Sequence, residues 1–512
     1  MAVTLQTKLS VRRNNMLLGD RGRIEKNQMA NLAKKYTTTG FMYTEYPHKS
    51  FWSGEFDEAD FKTALKELFS KAQDTPLLLY VHIPFCEQLC WFCTCHMSIT
   101  REYEKVKNYL NFLFREIDML HDFFGQNRVS PNFREIHLGG GSPTFVYEKE
   151  FDQLIEKLES ITDIKKLDEF SIEIDPRRVD KGRMAYYQAK GINRISFGVQ
   201  DFDLEVQKAI NRVQPAELIE NLLTPDIRSR FSNGTNFDLI CGLPKQTPET
   251  IRETCEKVIE MSPDRICLNY LHYSPQFAPH QNIMFDGRKG RPTRLPDFYE
   301  RKMIFLEALK VLTGHGYIRT GYDHFAKPTD AVVKAMRERK MQWNSLGVTA
   351  GRYSDVLGIG VHSLSTLGDC YSQNFYEFAD YEKALVNGRF PVYRGHKLTR
   401  EDIIRRAVIH ALRNFFFLDF RVIEKRYDIE FKKYFKEELI TLKEFERDEI
   451  VELSDASITI TELGHQFANL VCRDFDKFYS SNKKARDLGD LFDDKKVIPE
   501  TSSEIKTLIG SE

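Results

Sequence analysis

Apolar and polar positions along this chain fall into two alternating rhythms, short apolar runs and longer stretches of helical spacing. The run Leu77-Leu78-Leu79-Tyr80-Val81-His82-Ile83 has the partly β-branched make-up of a buried strand, and Pro84 stops it. Helical spacing over 102–124 follows, then a strand over 133–138 that runs into Gly139-Gly140-Gly141-Ser142-Pro143-Thr144. The rhythm repeats: helix 148–160, strand 170–174 ending at Asp175-Pro176, helix 180–190, strand 194–199, helix 202–212. It continues with strand 236–240 ending at Gly242-Leu243-Pro244, helix 249–261 and strand 265–269. Repeated βα units predict a parallel sheet, because parallel neighbours need a crossover connection. Unusual residues gather where strands end, as in barrels whose active sites lie at the C-terminal strand ends. The pattern therefore predicts an α/β fold, a partial (β/α) barrel. The rival is an open doubly wound sheet, but its G-x-G-x-x-G fingerprint is missing.

Outside this rhythm, Phe61, Leu65, Leu68 and Phe69 predict a helix over 58–72. Residues 275–295 hold three prolines with Gly287 and Gly290 and read as a connecting loop. Residues 297–314, 376–390 and most of 400–480 read as helical, with a strand-like 457–461. The expected organisation is an N-terminal extension (1–55, its first forty residues polar, basic and loosely ordered), a barrel domain (56–375), a mostly helical C-terminal domain (376–480) and a mobile tail (481–512).

Composition narrows the function classes. The chain has 512 residues, 41% of them hydrophobic, enough for a sizeable core. Lys+Arg 74 against Asp+Glu 75 leaves a net charge of −1, so no global field invites nucleic acid. No apolar run reaches the roughly 18 residues of a membrane span. The N-terminus carries no hydrophobic core of a secretory signal, and a reducing cytoplasm is expected.

Chemistry enters at Cys86, Cys90 and Cys93, spaced C-x3-C-x2-C, with Cys95 one residue further. Four of nine cysteines fall within ten positions, just past a strand end. Thiolates on such a loop suit a soft metal. Zinc, a disulfide pair and scattered core thiols are the plainer readings. Zinc would want a second ligand pair, such as C-x2-C or H-x3-H, which is missing. A disulfide framework is out of place in so long a chain without a secretory signal. Three thiolates on a [4Fe–4S] cluster leave one iron open to a substrate-like molecule. Cys241, Cys255, Cys267, Cys370 and Cys472 read as core thiols.

C-x3-C-x2-C after a strand resembles the signature of radical S-adenosylmethionine (SAM) enzymes. The longer string Tyr80-Val81-His82-Ile83-Pro84-Phe85-Cys86, continued by Cys90, Phe92, Cys93 and Cys95, is similar to the oxygen-independent coproporphyrinogen III oxidase family, over roughly residues 40 to 480. The resemblance implies a [4Fe–4S] cluster on Cys86, Cys90 and Cys93, with one or two SAM molecules beside it. It implies SAM contacts from Tyr80, Gly140, Gly141, Ser142, Glu173, Gln200, Arg212, Asp238, Leu271 and Leu364, and packing by Phe92. Before the resemblance, Glu173 reads equally as a structural ion pair with Arg177 or Arg178, the glycines as a turn with free N–H groups, and Arg212 as a solvated helix residue. Cys95 is implied to be a catalytic residue beside the cluster, since a fourth thiolate would close the open iron. Further matches are Tyr43-Thr44-Glu45-Tyr46-Pro47, Asn269-Tyr270-Leu271-His272, Asp323-His324-Phe325-Ala326-Lys327-Pro328, the loop 358–371, and Leu398-Thr399 with Asp402, Arg405 and Arg406.

One segment departs. The family's N-F-Q-G-Y-T-T stands here as Asn344-Ser345-Leu346-Gly347-Val348-Thr349-Ala350, which removes an aromatic and an amide. The resemblance implies decarboxylation of two propionates of coproporphyrinogen III to vinyl groups, by a monomer with an electron donor and acceptor that the sequence does not name. The rivals are another radical SAM tetrapyrrole reaction (radical methylation or haem ring opening) and a haem chaperone, which carries Phe at the Cys95 position.

Overall fold

A computed structural model describes residues 28–36, 43–71, 75–95, 97–344, 346–351 and 355–481. The expectations for residues 1–27 and for the tail from 482 lie outside them. Six strands run parallel in chain order: β1 (Pro76–Ile83), β2 (Asn132–Gly140), β3 (Glu169–Ile174), β4 (Arg194–Gln200), β5 (Thr235–Cys241) and β6 (Arg265–Tyr270). They form the middle of a 12-stranded sheet. Beyond β6 lie the antiparallel β7 (Ile318–Thr320) and β8 (His324–Ala326), in the order β6-β8-β7. Beyond β1 lie β9 (Asp355–Ile359), parallel to it, and then the antiparallel β10 (Leu364–Leu367), β11 (Cys370–Asn374) and β12 (Val392–Lys397). The fold is the expected partial barrel on a parallel sheet. The extra antiparallel strands are too short to announce themselves by alternation.

Helices α1 (Tyr103–Asn127), α2 (Glu148–Glu159), α3 (Lys181–Ala189) and α4 (Pro248–Met261) return the chain between parallel strands and cover one face of the sheet. Each strand is apolar toward them. Leu77, Leu79, Val81 and Ile83 of β1, Phe170, Ile172 and Ile174 of β3, and Ile195, Phe197 and Val199 of β4 all enter this core. The opposite face is polar. Its register rows read Tyr80-His137-Ser171-Arg194, then Glu173-Ser196-Asn236-Arg265, then Gly198-Asp238-Cys267-His324. A closed (β/α)8 barrel fills its interior with Val, Ile and Leu. This partial barrel keeps a hydrogen-bonding interior, room for polar ligands.

At the N-terminal strand ends that interior closes into an ion network. Arg194 pairs with Glu169 at 2.9 Å and Arg265 with Asp330 at 3.0 Å. These side chains line a cavity of about 770 Å³ on the side opposite the cysteines.

A second core holds Ile404, Val408, Leu412, Phe431, Leu442 and Phe467, together with Met29, Leu32, Tyr43 and Tyr46 from the N-terminal segment. Its helix α5 (Arg400–Phe415) begins in a capping box, Thr399 accepting from Asp402 N–H and Asp402 from Thr399 N–H. The Leu-Thr-x-x-Asp match is thus a helix start. Arg405 bridges Glu401 and Glu438, and Arg406 reaches Asp369. A three-stranded sheet formed by Phe417–Asp419, Val451–Leu453 and Ser457–Ile460 sits among these helices. The large sheet itself continues past residue 376, through β12. The aromatic segment at 43–47 straps the two units together, for Tyr43 donates to Asp476 and Tyr371 donates to the Tyr46 carbonyl.

Candidate active site

The cysteine loop leaves β1 at Pro84 and folds back on the glycine segment at the end of β2. Gly141 N–H donates to the Ile83 carbonyl and Ser142 N–H to the Phe85 carbonyl, at 2.9 and 2.8 Å. A Cβ on Gly141 would stand 2.8 Å from the Phe85 backbone, and one on Gly140 (φ +115°) 2.7 Å from His82. The glycines therefore serve close approach of two backbones. The expectation of free N–H groups is corrected: Gly140 N–H donates to Glu173 and the next two to the cysteine loop. A segment with its donors spent is not an anion nest. Ser142 is buried and bonded to Thr144.

Cys90 is buried, Cys86 and Cys93 half-buried, Cys95 exposed, and all four are free thiols. Burial pushes Cys86 up to about 12. The hydrogen bond between the thiols of Cys93 and Cys95 raises Cys93 and lowers Cys95. Arg212 lies 3.6 Å from Cys90 Sγ and is 9% exposed, which overturns its reading as a solvated helix residue. Arg212 also donates to the Gly198 carbonyl, and Gln200, at φ +66°, lies over the same glycine. A buried thiolate needs a cation beside it. Three thiols on one loop, with guanidinium support at Cys90, fit a thiolate-ligated cluster of net negative charge. Among the described residues no group of His, Cys, Asp or Glu is gathered as a preformed site for a single ion.

Glu173 points into the polar interior. It accepts from Gly140 N–H at 3.1 Å and lies 3.2 Å from His137 Nε2. The ion pair with Arg177 or Arg178 is excluded for it. Arg177 grips Asp175 through two bonds of 2.9 and 2.7 Å, and Arg178 pairs with Glu87. His137 in turn stacks on Tyr80, whose hydroxyl meets His82 Nδ1 at 2.9 Å. Asp238, on β5, accepts from Ser196 and Asn236, and burial raises its carboxyl above the ordinary range. Two half-buried carboxylates thus stand on the polar interior face of the sheet with no lysine or arginine bonded to either.

Phe92 and Leu271 come together in a small apolar cluster with Ile210, Ile240, Leu243 and Met284. Leu364 does not join them; it packs with Trp52, Tyr371 and Leu398 on the far side of β9. Of the presumed core thiols, Cys241, Cys255 and Cys472 are buried, Cys370 is half-buried, and Cys267 faces the interior 3.9 Å from His324.

Comparison with known proteins decides the kinship. A model of the radical SAM superfamily matches residues 80–258, and one of the HemN C-terminal domain matches 398–467. The oxygen-independent coproporphyrinogen III oxidase of Escherichia coli strain K12 is 38% identical over 89% of this chain and 96% of its own length. That of Pseudomonas aeruginosa is 36% identical over 89% and 97%. The chain belongs to the oxygen-independent coproporphyrinogen III oxidase family. The solved structure titled as coproporphyrinogen III oxidase (HemN) from Escherichia coli, a radical SAM enzyme, superposes with a TM-score of 0.79 at 36% identity, over 88% of this chain and 98% of that one. Radical SAM proteins use a [4Fe–4S] cluster and SAM, so those are the cofactors of this family member. Among the described residues no helix is long and apolar enough to cross a membrane.

What sequence reading missed is the polar interior itself. The signal was present: β3 to β6 alternate charged or small polar residues with apolar ones, unlike parallel strands buried on both faces. Sequence reading expected histidines and arginines near the pocket to hold propionates but did not single out His137, His82 or His324.

Proposed function

We propose that this chain converts two propionate side chains of coproporphyrinogen III to vinyl groups, giving protoporphyrinogen IX in haem biosynthesis. The observation that carries the reading is a match over nearly the whole length of relatives that bear this name, with the three-cysteine loop set against Glu173. Cys86, Cys90 and Cys93 would hold the cluster, and its open iron SAM. Given one electron from an external donor, the pair would supply a 5′-deoxyadenosyl radical with release of methionine, the agent that removes a β-hydrogen from a propionate. Carbon dioxide and one electron then leave the substrate, the electron passing to an acceptor.

The residues of the chain position and shield. Glu173 offers a carboxylate to the positive charge of SAM, with Gly140 N–H and His137 fixing its orientation. Phe92 and Leu271 offer an apolar surface to a flat ring. Gln200, Arg212 and Asp238 lie further along the strand tips, where a second SAM fits. Leu364 is held apart from that group and contributes through its contact with Trp52 and Tyr371. Cys95 stands exposed in the mouth, able to reach SAM or substrate. We place the protein, as a monomer, in a reducing cytoplasm.

The departure at 344–350 favours keeping one second reading, a different radical reaction on a related tetrapyrrole. Leu346 and Tyr80 pack against the same small cluster of Leu78 and Val356, so the altered segment lies near the site. Anaerobic incubation with SAM, a reductant and coproporphyrinogen III, followed by mass analysis, should show loss of two CO2. Methylated product, or turnover of haem alone, would overturn the first reading. In the same assay Cys95→Ser should keep its iron and its SAM-induced spectral change while losing about tenfold or more in turnover. Loss of iron in that variant would make Cys95 a ligand.

A further inference from the structure

His324 stands at the far end of the row Gly198-Asp238-Cys267-His324, on the interior face and across the barrel from the cysteine loop. Its Nδ1 meets Asp323 Oδ1 at 2.7 Å, and Cys267 Sγ lies 3.9 Å from the same nitrogen. Asp323 is fully buried, and its other oxygen has no hydrogen-bond partner. Behind it Arg413 of α5, 1% exposed and with none of its guanidinium nitrogens hydrogen-bonded, lies flat on Trp343 at 3.5 Å. Trp343 and His324 meet edge to face, their ring centroids 5.0 Å apart. A buried carboxylate bonded to one imidazole and a buried guanidinium over its neighbouring Trp343 thus flank His324, and the C-terminal domain supplies the guanidinium. Such groups are costly to bury unless each serves the next. Although burial works against ionisation of Asp323, His324 and Arg413 hold its carboxyl below the ordinary range.

This arrangement leaves His324 one working atom. Asp323 takes Nδ1–H, which fixes the ring and directs Nε2 outward. Among the described residues Nε2 has no partner, and the side chain keeps 15% of its surface open. Gly347 lets the paired strands Gln342–Asn344 and Gly347–Thr349 pass: a Cβ at Gly347 would stand 2.8 Å from Nε2. The neighbouring acid on the interior face is Asp238. Glu173 and Asp238 already suit the cationic end of SAM. What the proposed substrate adds is carboxylate, and it carries four of them.

We infer that His324 binds a propionate carboxylate of the tetrapyrrole as an imidazolium, donating Nδ1–H to Asp323 and Nε2–H to the ligand, with Asp323 and Arg413 as its positioning residues. The inference rests on the proposed function only for the identity of the ligand. The test is direct binding of coproporphyrin III, the fluorescent oxidised form, to cluster-reconstituted protein under anaerobic conditions. His324→Ala should weaken binding on the order of tenfold to a hundredfold, the range of a charge-assisted hydrogen bond. His324→Gln, which keeps a donor, should recover most of that loss, and Arg413→Met should lose part of it at unchanged iron content. The tetramethyl ester, which has no carboxylate, should bind wild type and His324→Ala alike, and SAM affinity should not move. Unchanged coproporphyrin affinity in His324→Ala, or an equal loss of SAM affinity, overturns the inference and assigns His324 to Asp238 instead. Wild-type protein that binds coproporphyrin through His324 but releases no CO2 overturns the proposed reaction and leaves this site standing.

Discussion

Strands β1 to β5 and strands β6 to β12 share one sheet, yet the two regions build their chemistry differently. In the first, each functional residue lies on or just past its own strand, followed by its own crossover. Cys86 follows β1, Gly140 ends β2, Glu173 lies in β3, Gln200 ends β4 and Asp238 lies in β5. In the second, groups meet across long stretches of chain. Arg413 stacks on Trp343, and Tyr270 donates to Gln466 across the two units. The first region presents carboxylates and thiols, which suit a metal cluster and a cationic cofactor. The second presents an imidazole bonded to a buried carboxylate, with a buried guanidinium nearby, which suits an anion. The division teaches that a local motif can specify where a radical is made, while the place of its target depends on the whole chain closing up.

The sharpest break falls on the first region. Ala at Cys86, Cys90 or Cys93 should abolish the cluster outright, with iron falling from about four atoms per chain to near zero after anaerobic reconstitution. The second region should be untouched, so coproporphyrin III binding should stay close to wild type. Wild-type-like iron in any one variant removes that cysteine from the ligand set. Loss of porphyrin binding together with the iron would show that the two regions are not separable.

Glu173→Ala comes next. It touches no cysteine, so iron should be retained, while SAM cleavage should fall at least tenfold because a charge-assisted contact is lost. Formation of 5′-deoxyadenosine is the readout. Unchanged cleavage would return Glu173 to a purely structural bond with Gly140 N–H and His137.

These effects also mark how far the sequence could be read. The six parallel strands, the cysteine loop and the strand-end glycines were legible because each lies within one βα unit, where apolar period and turn chemistry agree. Glu173 was legible as a residue but not in its partners, since Arg177 and Arg178 are near in sequence yet turn to Asp175 and Glu87. β7 and β8 hold three residues each, too few for alternation to register. Arg413 reads as one more polar position on an amphipathic helix until the fold buries it against Trp343. Leu364 matched a motif and still landed away from Leu271, because β10 turns its side chain toward Trp52.

The mildest test addresses the seam between the regions. Glu116, on α1, is 3% exposed and reaches across to the loop after β9 and to β11. It accepts from Gly360 N–H at 2.8 Å, Asn374 Nδ2 at 2.8 Å and Tyr381 hydroxyl at 2.6 Å. Burial outweighs these three donors and pushes its carboxyl from 4.5 up to about 7. A carboxyl raised in the folded state holds its proton more tightly there than in the unfolded chain. Ionising it in place therefore costs stability in full above about 7, and the cost fades as pH falls toward the unfolded value near 4.5. Glu116→Gln removes the titration while keeping an acceptor for Gly360 and Tyr381. Between about pH 8 and about pH 5 the wild-type melting temperature should rise relative to the variant by a few degrees. A difference that stays flat with pH would mean that the three donors hold Glu116 ionised throughout, and that the seam carries a permanent charge.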